Sequence, residues 1–349
     1  MSTQYTLIRP AVEPGSSFVK WCFLYRKIDK KGWDGDTQAM RKHPFLTSLA
    51  VAAIVAMSSC AILRVGTYAT DVFMEEPDPA LAGAALPTMI KAAEIIRKTD
   101  PGNPSNAISV ASLYVMYANA FLEGESFYLS DELYEEKAAL TTRANALYLR
   151  ALDLLLPLVE SRSPGFLDAP FAPGVAGPAD PAVAAALKPF GARDVPLMYW
   201  TAASILAAFG SNPLDFDNAL RVGAAVALLE RALELDPDWN AGSLYDLAFS
   251  AYASLPPDIG GNREKAEKAY ADLVTLLGKP SAGALVAYAS IICVFDGDYE
   301  TWKAMLEEAL AIEGGPSSRL MDALARRKAA RLLMDASMYF YIADDESEN

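Results

Sequence analysis

The sequence predicts an all-α protein built from stacked helical hairpins. Three observations lead to this prediction. Nearly every segment from Asp78 to Tyr341 carries apolar residues at helical spacing, alanine and leucine dominate these segments, and no sustained strand-like alternation occurs. Proline and glycine clusters separate the segments, as expected of turns between helices. With 349 residues, 52% of them hydrophobic, the chain can bury a substantial core.

The first half of this region contains four amphipathic segments and one irregular one. The amphipathic segments, each predicted to be a helix, are residues 78–98, 105–122, 133–159 and 195–209. Segment 161–192 is rich in proline and glycine and predicts a long excursion within one domain, with one short helix at its end.

The second half contains three similar segments that end at Pro237, Pro280 and Pro316, a spacing typical of helical-hairpin repeats. Segment 227–237 (ALLERALELDP) looks like the second helix of a tetratricopeptide repeat. We therefore expect degenerate tetratricopeptide-like repeats in one curved α-solenoid domain, residues 76–343. Several positions have expected local roles: Asp298 as a helix N-cap, Gly278 and Gly314 as helix stops, and Ala232, Ala269, Ala304 and Ala309 on inward faces.

Residues 40–60 (MRKHPFLTSLAVAAIVAMSSC) have the pattern of a bacterial lipoprotein signal: a basic start, a short apolar run, and small residues before a cysteine. The apolar run is too short for a permanent membrane span, although a core helix or an uncleaved anchor is the alternative. The pattern predicts a signal peptide at 40–59, acylation of Cys60 and a tether at 60–75. Residues 1–39 are then a mis-assigned N-terminal extension, and 344–349 form an acidic tail.

The composition argues against nucleic-acid binding and against most catalytic chemistry. The formal net charge is −14 and no basic cluster appears, whereas binding to phosphates requires one. The one histidine, His43, would be removed with the signal, which leaves none to act as a general base or metal ligand. Cys293 lies on an apolar helical face, where a buried, unreactive thiol is expected. We therefore predict no enzymatic activity, no metal and no cofactor.

Paired carboxylates are the remaining candidates for acid–base chemistry. Glu123 with Glu125 and Glu307 with Glu308 are such pairs, but they fall at helix ends or on polar helical faces. We interpret both pairs as solvated surface residues.

Aromatic residues offer a candidate ligand site. Tyr114, Tyr117 and Phe121 recur at helical spacing, and Tyr199 and Trp200 lie in a later helix. Most such residues belong to a core, but some can line an apolar ligand groove or pore between helices.

Five segments resemble the T-component family of TRAP-type (tripartite ATP-independent periplasmic) transporters, in order and in spacing: residues 75–103, 112–121, 195–204, 242–277 and 286–310. The resemblance implies a periplasmic, non-catalytic lipoprotein that forms a trimer and docks the substrate-binding P-component. It further implies passage of a small apolar or organic-acid ligand through a pore in the helical body.

The membrane address follows from the residue after the acylated cysteine. Ala61 is not the aspartate of a retention signal, so we expect Cys60 to anchor the protein to the outer membrane, facing the periplasm. The alternative function is that of a helical-repeat scaffold lipoprotein for envelope or outer-membrane assembly, with no small ligand.

Overall fold

Helices make up most of the chain that the structure describes. The computed structural model describes residues 72–171 and 181–341, all within one unit, 69–349, and these residues include no β-strand. The predicted all-α class is confirmed. The predicted extension 1–39, the signal peptide 40–59, Cys60, most of the tether and the acidic tail 344–349 lie outside the described residues.

The helices follow the predicted segments closely. They are α1 Pro79–Thr99, α2 Pro104–Tyr117, α3 Gly124–Tyr128, α4 Tyr134–Arg162, α5 Pro181–Leu187, α6 Val195–Ser211, α7 Phe216–Leu235, α8 Ser243–Ser254, α9 Arg263–Leu277, α10 Ala282–Tyr288, α11 Val294–Asp296, α12 Tyr299–Ala311 and α13 Arg319–Met334. Two π-helical turns, Ala118–Glu123 and Ala289–Cys293, follow α2 and α10. Helix α5 is the short helix expected at the end of the irregular segment.

Local signals set several helix ends. The Asp298 carboxylate accepts the Thr301 amide hydrogen at 3.0 Å and begins α12, as predicted. Gly278 ends α9 with a φ of 74°, which glycine adopts without a steric cost. The stop predicted at Gly314 is wrong, because Ile312 adopts an extended conformation and ends α12 two residues earlier.

The main core forms where α6 packs between α4 and α7, with α2 against α1 and α4, and α8 against α9. Ala232, Ala269 and Ala309 are buried, as predicted, and allow close helix approach. Ala304 is exposed, which contradicts its predicted inward position. Trp302 and Leu306 take the inward face of α12, and Ala304 lies midway between them on the opposite side.

Helices α10, α12 and α13 form a second core around Trp302, which is fully buried. The end of this core returns to the beginning of the domain, because α13 contacts α1 and Arg327 pairs with Glu125 at the start of α3. The Arg327 guanidinium also lies 3.9 Å from the ring centroid of Tyr128. The stack of helices is therefore closed by contacts between its last and first parts, while its assignment to tetratricopeptide-like repeats stays a prediction.

The described parts of the irregular segment pack on the body. Phe166 lies 4.6 Å from Phe171 and 5.7 Å from Phe190, measured between ring centroids, and all three rings are buried. The Phe171 backbone approaches Gly223 of α7 so closely that a Cβ atom there would lie 1.7 Å from the Phe171 carbonyl oxygen. This segment thus contributes to the core of the helices that flank it.

Helix α1 is long and apolar enough, by length and composition, to cross a membrane. Its contacts are nevertheless those of a domain helix, since Leu86 and Ile90 are buried and Glu94 pairs with Arg150 of α4. Its outer face is apolar: Leu81 and Ile95 are exposed, Ile95 by 63%.

Candidate ligand-binding site

Asp246 lies in the first turn of α8, and its side chain is exposed. Neighbouring protein atoms reduce the hydration of its charged form and raise the pKa of its carboxyl. Within residues 72–171 and 181–341, no hydrogen bond or ion pair is made by this carboxylate.

Three aromatic side chains, Tyr199, Trp200 and Trp239, pack together. The ring centroid of Tyr199 is 4.9 Å from that of Trp200 and 4.8 Å from that of Trp239, and each ring is half-buried. Burial raises the pKa of Tyr199, and the nearby negative charge of Asp246 raises it further. We call Tyr199, Trp200, Trp239 and Asp246 the aromatic–carboxylate cluster.

A strained turn holds this cluster together. Asn240 and Ala241 adopt left-handed backbone conformations, with φ of 49° and 53°, and Gly242 follows with φ of 87°. A left-handed conformation costs a non-glycine residue about 1–2 kcal/mol. The turn joins Trp239 directly to α8, which carries Asp246, and strain of this kind concentrates at functional sites.

The predicted aromatic residues of the first half have a different role. Tyr114 is buried, its hydroxyl donates to Glu94 Oε1 at 2.7 Å, and Arg150 donates to the same hydroxyl and covers the ring. The rings of Tyr117 and Phe121 stack at 6.2 Å.

Phe121 also packs tightly on α1, because a Cβ atom at Gly83 would lie 2.6 Å from its ring. In the part of the chain that the structure describes, no ring contact joins Tyr117 or Phe121 to Tyr199 or Trp200. The five predicted residues therefore divide into two groups, with Tyr114, Tyr117 and Phe121 in the first and Tyr199 and Trp200 in the second.

Glu123 is not the solvated surface residue that its sequence context indicates. The hydroxyl of the fully buried Tyr148 donates to Glu123 Oε2 at 2.7 Å, and burial raises the pKa of the Glu123 carboxyl. This interpretation fails because the π-helical turn carries Glu123 onto the face that packs against α4. Glu125 does lie at the surface, where it pairs with Arg327, and Glu307 and Glu308 are exposed, as expected.

Lys328 of α13 is a second charged group enclosed by protein. Burial lowers the pKa of its ammonium group, which lies 5.6 Å from the ring centroid of Phe127. No ion pair to this lysine occurs among the described residues. An enclosed cation without a carboxylate partner is available to an acidic group of a ligand.

Trp239, Asp246 and Lys328 are not among the site residues predicted from the sequence. One signal was present, since segment 238–246 (DWNAGSLYD) combines a tryptophan, a turn and a carboxylate within nine residues. Whether a carboxylate faces solvent or an interior space depends on helices distant in sequence, and spacing alone does not report it.

Metal ligands and the Cys293 thiol are two kinds of group that could take part in catalysis. The described residues contain no group of three or more His, Cys, Asp or Glu side chains that could hold a metal ion. Cys293 is buried, and burial raises the pKa of its thiol to about 11, so the reactive thiolate is scarce at neutral pH.

Comparisons with known proteins identify the family of the chain. An uncharacterised protein of Treponema pallidum (strain Nichols) is 30% identical over 273 residues, which cover 78% of this chain and 83% of the relative. The family described as TRAP transporter T-component matches residues 75–340, nearly the whole described domain. The chain therefore belongs to the T-component family of TRAP transporters.

Proposed function

We propose that the protein is a non-catalytic accessory subunit of a TRAP-type transport system that docks the substrate-binding P-component and passes a small ligand through its helical body. Membership of the T-component family over residues 75–340 carries this proposal. The half-buried rings of Tyr199, Trp200 and Trp239, which keep part of their surface free, support the ligand-handling part.

The ligand is a small apolar compound or organic acid. An apolar part would contact the aromatic rings of α6, Tyr199 and Trp200, which are half-buried and so keep part of their surface free. An acid group would pair with Lys328, the enclosed cation of α13. The negative charge of the acid group would offset the hydration that the Lys328 ammonium group loses on burial.

Self-association into a trimer is part of the proposal. Leu81, Ala92 and Ile95 share the outer face of α1 and are exposed, which is costly for a monomer in water. A second and a third copy of the chain would cover this face. Ile95→Glu is expected to shift the protein to monomers, whereas Lys303→Glu, at an exposed position on α12, is expected to leave the trimer intact.

Acylation of Cys60 would hold the protein at the outer membrane, facing the periplasm. One thioether-linked diacylglycerol and one amide-linked chain give more than the single acyl chain that binds membranes only reversibly. In cells, Cys60→Ser should move the protein from the membrane fraction to the soluble periplasmic fraction, and an unchanged membrane fraction would contradict acylation.

Light scattering on residues 61–349, alone and with the P-component encoded nearest to it, tests the central proposal. The expected result is a trimer whose mass increases when the P-component is added. A particle whose mass does not change at high micromolar concentrations of the P-component would contradict docking. That outcome would favour the alternative of an envelope-assembly scaffold.

A further inference from the structure

We propose that the second core binds a small apolar molecule through one oxygen atom, which accepts a hydrogen bond from the indole N–H of Trp302. This inference rests on the ligand handling of the proposed function but not on docking of the P-component. Of the two ligand classes in the proposed function, the site fits the apolar compound.

The indole N–H of Trp302 is a buried donor without an acceptor. Trp302 has no exposed surface, and nothing in the part of the chain that the structure describes accepts a hydrogen bond from its Nε1 atom. Three other buried atoms share this condition, on Arg97, Arg231 and Asn218, but those side chains have further polar atoms, whereas Nε1 is the only polar atom of the tryptophan side chain. A buried donor that has lost water and gained no partner costs free energy. An acceptor on a bound molecule would remove this cost.

Three aromatic rings lie against Trp302. The ring centroids of Phe340, Tyr299 and Tyr339 are 5.1, 5.9 and 6.3 Å from that of Trp302. All three rings are half-buried, so each keeps part of its surface free. We call these four residues the Trp302 site. Apolar and aromatic surface with one well-placed polar group is the usual composition of a site for a small molecule.

The surroundings favour an apolar molecule over a water or an ion. Among the described residues of α10, α12 and α13, Asp322 is the one buried polar side chain. It lies beside Gly314, where a Cβ atom would be 2.1 Å from its Oδ2 atom, near the beginning of α13 and not near its end, where Tyr339 follows. A buried water needs two or more polar partners, and an apolar site excludes it. A carboxylate would lose the hydration of its charge for one hydrogen bond, so the acceptor is an uncharged oxygen, such as that of a ketone or an ester.

Two irregular parts of the backbone adjoin the second core. The π-helical turn Ala289–Cys293 contributes Ala289 and Cys293 to it, and π-helical turns are frequent at functional sites. Tyr339 and Phe340 follow the last helical turn of the described chain, and the amides of both donate to the Ala336 carbonyl. Both rings can therefore move without breaking a helix, which gives a small molecule access to Trp302.

The test follows the indole N–H signals of residues 61–349 by NMR. This part of the chain includes the whole compact unit 69–349 and three tryptophans, Trp200, Trp239 and Trp302. The variants Trp200→Phe and Trp239→Phe assign the remaining signal to Trp302. Cyclohexanone is the probe, and methylenecyclohexane, which has a CH2 group in place of the oxygen, is the ligand control. Millimolar cyclohexanone should shift the Trp302 signal in the direction that a new hydrogen bond produces, and methylenecyclohexane should not.

Two further variants separate the hydrogen bond from the general effect of the ring. Trp302→Phe keeps an aromatic ring and removes the N–H. Its loss of affinity for cyclohexanone should be at least about fivefold larger than its loss for methylenecyclohexane, which corresponds to ~1 kcal/mol. Phe216→Leu changes an exposed ring of α7 and should bind both probes as the unmodified protein does. Thermal unfolding of each variant verifies that it is folded, and the signal of Trp302 in the unmodified protein decides if Trp302→Phe does not fold.

Three results would overturn the proposal: an unchanged Trp302 signal in cyclohexanone, equal losses of affinity for the two probes in Trp302→Phe, or no binding of either probe at millimolar concentrations. Failure here is distinguishable from failure of the proposed function, because light scattering measures docking separately. If the P-component docks while cyclohexanone does not bind, only the Trp302 site is lost. If cyclohexanone binds while the P-component does not dock, the site stands without the transport partner.

Discussion

Removal of the Tyr148 hydroxyl should destabilise the domain measurably. Tyr148 has no exposed surface, and its hydroxyl donates to Glu123 Oε2 at 2.7 Å. The variant Tyr148→Phe keeps the packed ring and removes only this donor, so the half-buried Glu123 carboxylate would have one fewer hydrogen bond.

The magnitude follows from the charge on the acceptor. A hydrogen bond to a charged group contributes about 1.5–3 kcal/mol, and we expect a loss in this range. For a domain of this size, each kcal/mol lowers the midpoint of thermal unfolding by roughly 2–4 °C. Urea unfolding and thermal unfolding, both followed by circular dichroism, measure the two quantities.

The same pair predicts a dependence on pH. Burial raises the pKa of Glu123 above its usual 4.5 in the folded state. The folded state therefore binds the proton of the Glu123 carboxyl more tightly than the unfolded state does. The contribution of this carboxyl to stability is complete below about pH 4.5 and is lost as the pH rises through the pKa of the folded state. Glu123→Gln should remove this part of the pH dependence.

A matched control separates the hydrogen bond from the general effect of losing a hydroxyl. Tyr245→Phe removes a half-buried hydroxyl with no hydrogen bond among the described residues and should change stability by less than about 0.5 kcal/mol. Equal effects of the two substitutions would refute the reasoning. The double variant Tyr148→Phe with Glu123→Gln gives a second test. A change in its free energy of unfolding equal to the sum of the two single changes would also refute the reasoning.

Three other predictions concern the backbone and the thiol. Gly223→Ala should lower the free energy of unfolding in urea by about 1–3 kcal/mol, because the new Cβ atom would clash with the Phe171 carbonyl. Gly210→Ala is the control: no atom lies within 4 Å of the new Cβ atom, and the free energy of unfolding should rise by about 0.5–1 kcal/mol. Ala241→Gly should raise the thermal midpoint, since glycine relieves about 1 kcal/mol of left-handed strain, and an unchanged midpoint would contradict the strain. In residues 61–349, Cys293 should react with a thiol reagent only after unfolding, and fast reaction of the native protein would show that it is accessible.

The positions of the helices could be predicted because their signals are local. The apolar spacing in 195–209 and the N-cap at Asp298 depend only on neighbouring residues, and both are confirmed. The wrong stop at Gly314 has the same origin, since a glycine permits a helix end but does not require one, and Ile312 turns the chain first. The exposed Ala304 shows that small size alone does not place a residue inward.

The candidate site could be predicted only in part, because it depends on contacts between helices far apart in the sequence. Tyr199 and Trp200 were recognisable as candidates, but the carboxylate that accompanies them comes from α8. Glu123 and Asp246 look alike in a sequence of abundant acidic residues. Packing makes one a half-buried, hydrogen-bonded group and leaves the other without a partner among the described residues.

The contact between the last helix and the first part of the domain has a consequence for how the protein is made. Repeat units that touch only their neighbours can fold as each one is synthesised. Here Arg327 pairs with Glu125, which precedes it by 202 residues. Contacts between residues so distant in sequence slow folding, because a large loop has to close before they form. The body can therefore close only after α13 has been synthesised, and until then the surfaces of α1 and α3 that receive α13 are open to chaperones, proteases and other copies of the chain.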